Sequence, residues 1–278
     1  MRKHADLIYD VGLNNGDDTA YYLRRGYRVV AIDADPLLCE NATRRFAEAI
    51  DAGRLTILNL GISASRGCAD FWVNEACSEW SSFDYNVASR DNLPHHAIQV
   101  TCVTFDEVLE EYGVPHYLKT DIEGNDIYCL KVLSPDCRPD FISVEMGTQE
   151  MLDEMKRLGY THFKLIDQST FLPLEVPEAW SMRARKYASA LIESRSLRAR
   201  AICRLVGWRR IADYIQKSRR RDSWEFPMGS SGPFGEDTSG KWLTAEKVYA
   251  SWQHYLNLHQ RDASQKAYAF WCDLHAAL

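Results

Sequence analysis

The chain has 278 residues, 46% of them apolar and 26% charged, an ordinary composition for a globular protein. No apolar run approaches the roughly eighteen residues that a spanning helix needs. The residues ahead of the first strand-like run form no apolar leader, so a cytoplasmic location is expected. Eight scattered cysteines without a C-x-x-C pair fit reduced thiols better than structural zinc or a disulfide scaffold. The net charge of −6 conceals an asymmetry. From Ser181 to Asp222 thirteen Lys or Arg stand against three Asp or Glu, so this stretch carries +10 and the rest of the chain −16. A split of that size marks a boundary and a candidate partner surface.

In chain order, Leu7 to Val11 reads as a short buried strand. It is followed by Gly12-Leu13-Asn14-Asn15-Gly16, a turn rich in residues that tolerate positive φ. Asp17, Asp18 and Thr19 suit a helix start, and that helix stops at Gly26. Arg28 to Asp33 is a second strand, and Pro36 opens a long helix through Ala49. Leu55 to Leu60 is the third strand, with extra strands at Cys68–Val73 and Ala97–Val103 around a loop from Asn74 to His96. A helix over Phe105–Tyr112 leads into the fourth strand, Tyr117–Asp121, then a helix over Asn125–Val132. The fifth strand is Asp140–Met146, then a helix Gln149–Leu158, then the sixth strand, Thr161–Asp167. This alternation predicts an α/β fold with a doubly wound, mostly parallel sheet over residues 1–177. Residues 178–278 form a largely helical, basic extension: a helical stretch to about 221, a Gly/Ser/Pro-rich loop from Pro227 to Gly240, and a helical tail from Thr244. The loop reads as a substrate lid or a plain linker.

Three motifs carry chemistry. In Asp10-Val-Gly-Leu-Asn-Asn-Gly-Asp17 the glycines at 12 and 16 let backbone approach a ligand where a strand meets a helix. Carboxylates at 10, 17 and 18 disfavour the pyrophosphate that a G-x-G-x-x-G loop would seat, and favour a ligand bearing cationic groups. Asp33, at the tip of the second strand in Asp33-Ala-Asp-Pro36, is placed to accept hydrogen bonds from both hydroxyls of a ribose. Asp35, just before a proline, reads as a helix cap. In Leu118-Lys-Thr-Asp-Ile-Glu-Gly124, Asp121 and Glu123 lie just past the fourth strand, where a transferred group meets its acceptor.

Together the three motifs resemble the FkbM family of class I methyltransferases over about Asp6 to Pro173. That family's pattern is D-V-G-A-N-x-G-D, then acid-x-D-P, then L-K-I-D-V-E-G; here Leu13, Asp33 and Thr120 depart from it. The resemblance implies a seven-stranded Rossmann-like methyltransferase sheet, S-adenosylmethionine as cofactor, and transfer of its methyl group to a hydroxyl oxygen of a small-molecule, glycan or secondary-metabolite acceptor. The expected cofactor site comprises Asp10, Gly12, Asn14, Gly16, Asp33, Ala34, Ile62 and Asp121. Asp121 and Glu123 are the candidate bases, with Glu145, at the end of the fifth strand, beside them. Trp80 and Ser82, in the loop before the fourth strand, are the candidate substrate residues, the alternative being a plain surface loop. A divalent metal on Asp121, Glu123 and Glu145 is a minority reading, and no metal is expected. Asp273 and His275, in the tail, either approach the site or are simply solvated, the solvated reading being preferred.

Two rivals come from other classes. A nucleic-acid methyltransferase directed at amino groups would carry N/D-P-P-Y/F after the fourth strand. This chain has two acids there and no aromatic, which repels phosphate, so no nucleic-acid partner is expected. A non-catalytic nucleotide-binding scaffold would share the fold. Over 183–221, apolar Tyr187, Leu191, Ile202, Leu205, Trp208, Ala212 and Ile215 alternate with Arg and Lys. Such a helix either packs its apolar face on the domain or makes weak, salt-sensitive contact with an anionic membrane surface.

Overall fold

The computed structural model describes residues 1–177, Ala184, Ala188, 196–211, 220, 221, 223–227, 229–261 and 271–278. Residues Met1–Thr161 with His275–Leu278 form one compact unit, and His162–Leu274 form a second. The division falls upstream of the boundary expected near 177, and the last four residues, expected in the extension, belong to the first unit.

In the first unit the central strands are β1 (Lys3–Val11), β2 (Arg28–Asp33), β3 (Leu55–Asn59), β7 (Val114–Thr120) and β8 (Phe141–Glu145). They lie in the order β8-β7-β1-β2-β3, and every pairing among them is parallel. Leu7–Val11 is wholly buried, as the continuous apolar run requires of a strand covered on both faces. The strand itself begins earlier, at Lys3, with its register broken between His4 and Ile8. The helices α1 (Asp17–Arg24), α2 (Pro36–Arg45), α3 (Ala47–Asp51), α5 (Phe105–Tyr112), α6 (Asp126–Lys131) and α7 (Gln149–Arg157) fall where the alternation puts them. The long helix expected from Pro36 to Ala49 is two helices, because Phe46 leaves helical geometry (φ −114°, ψ 23°). Its ring lies so close to Gly16 that a side chain on the glycine would meet it. Asp35 does cap α2, accepting from the Leu37 N–H at 2.8 Å, with Pro36 in the first turn.

A separate small sheet, β4 (Gly61–Ile62), β6 (His95–Val103) and β5 (Gly67–Asn74), accounts for the two extra strands. Phe71 and Val100 bury Ala34 there, with Val73, Phe83 and Ile98 packed around them. The loop between β5 and β6 carries the short helix α4 (Tyr85–Ala88) and is pinned to β5 by a bridge between Ser82 and Trp72.

Order in the main sheet reverses between β1 and β7, and the carboxyl ends of these two strands create the crevice in which doubly wound folds bind ligands. One buried ion pair holds that crevice. Asp10 and Lys119 are register partners on adjacent parallel strands, so their side chains share a face. Lys119 Nζ lies 3.1 Å from Asp10 Oδ1 and also donates to the Gly12 carbonyl at 2.5 Å. The other Asp10 oxygen accepts from the Thr19 hydroxyl of α1 at 2.6 Å. Burial opposes charge on Lys119, but the carboxylates of Asp10, Asp121 and Asp18 outweigh it and raise its pKa.

The second unit contains a hairpin of β9 (His162–Asp167) and β10 (Leu172–Pro173), helices Leu197–Val206 and Ala245–Arg261, and a two-residue hairpin of Arg220–Arg221 with Trp224–Glu225. The expected basic helix therefore gives way to a strand at Arg220. The Gly/Ser/Pro-rich segment is packed rather than a free linker: Ser230, Ser231, Phe234 and Thr238 are buried. Lys164 Nζ donates to the Thr238 carbonyl and hydroxyl at 3.0 and 2.8 Å and sits 4.1 Å from the Trp242 ring centroid. The tail beyond Thr244 is not all helix: after the helix Ala245–Arg261 it contains a strand, Cys272–Ala277, whose six residues are all buried. Asp273 and His275 are thus strand residues, not solvated ones. Of the apolar positions read in 183–221, Ile202, Leu205 and Trp208 are exposed, so they do not pack on a core. Tyr187, Leu191, Ala212 and Ile215 lie outside the described residues.

Removing one member of a buried ion pair strands the other charge. Lys119→Met should therefore cost about 3–5 kcal/mol in urea-unfolding experiments, and adding Asp10→Asn should recover a substantial part of that loss.

Candidate active site

The glycine loop is shaped by close backbone approach. Gly12 has φ +89°, and a Cβ there would lie 1.9 Å from the Asp121 carbonyl oxygen, so only glycine lets the loop cross the tip of β7. The loop is tied down on both sides: Gly12 and Leu13 N–H groups donate to the Ile32 carbonyl at 2.9 and 3.0 Å, and the Asp121 N–H donates to Val11 at 2.9 Å. Asp33 joins β2 to the same loop. Its Oδ2 accepts from the Asn14 N–H at 2.8 Å and its Oδ1 from the Asp35 N–H at 2.9 Å. Burial raises the Asp33 pKa to about 6 despite those two bonds. A carboxylate offers about four acceptor positions, so two remain for a ligand.

Ala34, next to Asp33, and Ile62 are both buried, and the Ile62 carbonyl accepts from the Asn125 side chain at 2.9 Å. The Asn14 side chain accepts from the Ser78 hydroxyl at 2.8 Å, which brings the long loop to the glycine turn.

Just past β7 the chain makes a tight turn, with Glu123 at φ +47° and Gly124 at φ +111°. Three contacts fix it. Asp126, at the start of α6, accepts from the N–H groups of Ile122 (3.1 Å) and Gly124 (3.3 Å). The buried Ser82 hydroxyl donates to the Glu123 carbonyl at 2.8 Å while accepting from the Asp84 N–H. Ser82 thus positions Glu123, and its hydroxyl is already engaged. Arg90 approaches the Glu123 carboxylate at 3.6 Å and lies 5.9 Å from the centroid of the half-buried Trp80 ring.

Asp121, Glu123 and Glu145 converge, each with a carboxylate oxygen within 4.8 Å of the others. Burial first, and the neighbouring carboxylates second, push Glu123 up to about 7 and Glu145 up to about 8, with Arg90 opposing both. Burial also raises Asp121, opposed by Lys119 and reinforced by Asp10. The cluster therefore holds protons near neutrality. It is also a set of three hard oxygen ligands of the kind a divalent cation takes.

A family model for the methyltransferase FkbM domain matches residues 10–161, more than half of the chain. The chain belongs to the FkbM methyltransferase family. The match contains the glycine loop, Asp33 and the carboxylate cluster, and it ends at Thr161, with the long N-terminal stretch of the first compact unit. Among curated proteins none matches the chain. Two similar solved structures are S-adenosyl-L-methionine-dependent (SAM-dependent) methyltransferases in complex with S-adenosyl-L-homocysteine. The one from Thiobacillus denitrificans is 14% identical, covering 76% of this chain and 80% of that one, with a TM-score of 0.29. The one from Geobacter sulfurreducens is 15% identical, covering 77% and 80%, also with a TM-score of 0.29.

Within the FkbM domain, the site residues expected from sequence fall into two groups. Asp10, Gly12, Asn14, Gly16 and Asp33 surround one loop, and Asp121, Glu123 and Glu145 form one cluster. Sequence reading missed Lys119, Thr19, Asp126 and Arg90. Lys119 alone carried a signal, a lysine directly after the apolar pair Tyr117-Leu118 in a strand. His275 is buried within a strand.

The raised carboxyls have a stability consequence. Both glutamates ionise near 4.3 when unfolded, so the unfolded state binds fewer protons above that pH and stability falls from there until pH passes about 8. Glu145→Gln should remove part of this fall. Its Tm should match the parent near pH 4.5 and exceed it near pH 8.5 by about 2–4 °C for each kcal/mol recovered, as scanning calorimetry across pH would measure.

Proposed function

We propose that this chain transfers the methyl group of S-adenosylmethionine to a hydroxyl oxygen of a small-molecule or glycan acceptor. The observation that carries this reading is the pair of half-buried glutamates, Glu123 at about 7 and Glu145 at about 8, clustered with Asp121 at the tip of β7 and β8. A neutral hydroxyl is a poor nucleophile and needs a base whose pKa lies near the working pH.

S-adenosylmethionine, when bound, would supply an electrophilic methyl group on a sulfonium. Glu123 would take the proton from the acceptor hydroxyl as its oxygen is methylated. Glu145, which holds its proton to higher pH, donates a hydrogen bond within the cluster, so neighbouring carboxyls divide the two roles. The glycine loop and Asp33 would hold the cofactor, with the Asp33 carboxylate accepting from its ribose hydroxyls. Trp80 forms an apolar wall for the acceptor. The acids around the site disfavour a phosphate-rich nucleic-acid substrate.

Turnover with labelled S-adenosylmethionine over a panel of sugar, lipid-linked glycan and polyketide hydroxyls tests the reading. Glu123→Gln should lower kcat by about 10²–10⁴ while S-adenosylhomocysteine affinity stays within about twofold. A Glu123→Gln enzyme of undiminished kcat would remove the base assignment. Activity should survive dialysis against EDTA; loss restored by Mg²⁺ would instead assign the three carboxylates to a metal.

A further inference from the structure

The helix Leu197–Val206 inverts the usual division of a surface helix. Its buried residues are the small Ala199 and Cys203, one turn apart. Its large apolar residues face outward: Leu197 is 82% exposed and Leu205 88%, with Ile202, Val206 and Trp208 also exposed. At about 100° per residue, Leu197, Ala201 and Leu205 form one ridge, Arg198, Ile202 and Val206 the next, and Arg200 and Arg204 flank them on the far side. Ser196 caps the helix, accepting from the Ala199 N–H at 3.1 Å, and Gly207 ends it. Trp208, Arg209 and Arg210 follow at once. From Leu197 to Ile211 there are five arginines and no acid.

We infer that this face docks on an anionic lipid surface. The inference goes beyond the proposed methyl transfer and rests on different residues. An amphipathic helix lying in a membrane interface buries leucines and a tryptophan while its arginines meet lipid phosphates. No helix among the described residues is long and apolar enough to cross a membrane, so the contact is superficial. The residues outside 181–222 carry −16, which an anionic surface repels, and this restricts contact to the basic face. Charge also selects among occupants. A second copy meeting this patch on itself would oppose like charges. Nucleic-acid phosphates would pair with the arginines but leave the leucines in water.

Vesicle co-sedimentation of the full chain tests this, using phosphatidylcholine alone and phosphatidylcholine mixed with phosphatidylserine. At low salt the chain should pellet with the mixed vesicles and not with the neutral ones, and at about 1 M salt, where screening is nearly complete, it should release. Leu205→Glu should weaken partitioning by about tenfold or more. Because Leu205 is exposed, that variant should keep the parental circular dichroism and methyl-transfer rate in solution, which separates lost docking from lost fold or chemistry. Absence from the mixed-vesicle pellet at low salt would overturn the inference. So would equal binding to both vesicle types, or parental binding by Leu205→Glu. A competing RNA that displaces the chain from mixed vesicles, and binds Leu205→Glu as tightly as the parent, would reassign the surface to nucleic acid.

Discussion

A single buried ion pair sets the geometry on which the site depends. Asp10 and Lys119 face each other across β1 and β7, the two strands between which the sheet reverses its order. Neither charge has access to water, so each needs the other, and a misregistered pairing would leave both stranded. The lysine also reaches the Gly12 carbonyl, and Asp10 also takes the Thr19 hydroxyl. Strand, glycine loop and helix are therefore fixed to β7 by one polar knot. It is specific because unsatisfied buried polar groups are costly.

From that knot two consequences run in opposite directions. Toward β2, the loop places the Asn14 N–H on Asp33 and so builds a crest of backbone and one buried carboxylate. Toward β7, Gly12 crosses the Asp121 carbonyl, and the next turn brings Glu123 beside Glu145. The crest is suited to holding a ligand and the cluster to moving a proton. Their adjacency follows from both being built at the carboxyl ends of neighbouring strands. Ser82 and Asp126 spend their hydrogen bonds on the backbone of the Ile122–Gly124 turn, which holds the Glu123 carboxyl in place before any acceptor arrives.

Much of this was legible in the sequence, for a physical reason. Buried parallel strands must be continuous apolar runs, and ligand loops must be glycine-rich, so β1, β2, β7 and their motifs stand out locally. What was not legible depends on distant partners. The break at Phe46 comes without a helix-breaking residue, at a position whose ring packs against Gly16. Asp273 and His275 look solvated in sequence, yet Cys272–Ala277 is a buried strand; polar residues in a short run hide a strand from periodicity. The segment from Pro227 to Gly240 has a linker's composition but buries Ser230, Ser231, Phe234 and Thr238. Ser82 was legible as a loop serine near the site, whereas its hydrogen bond to the Glu123 carbonyl was not.

The central claim is that the carboxyl ends of β1 and β2 bind the adenosine portion of the methyl donor through Asp33. Calorimetric titration with S-adenosylhomocysteine tests it most directly, comparing the parent chain with Asp33→Ala, and circular dichroism verifies that both are folded. A carboxylate hydrogen-bonded to ligand hydroxyls contributes about 1.5–3 kcal/mol per bond, so the account predicts saturable binding by the parent at one site per chain and at least about a tenfold loss in the variant. Affinity unchanged within about twofold in a folded Asp33→Ala chain would contradict it.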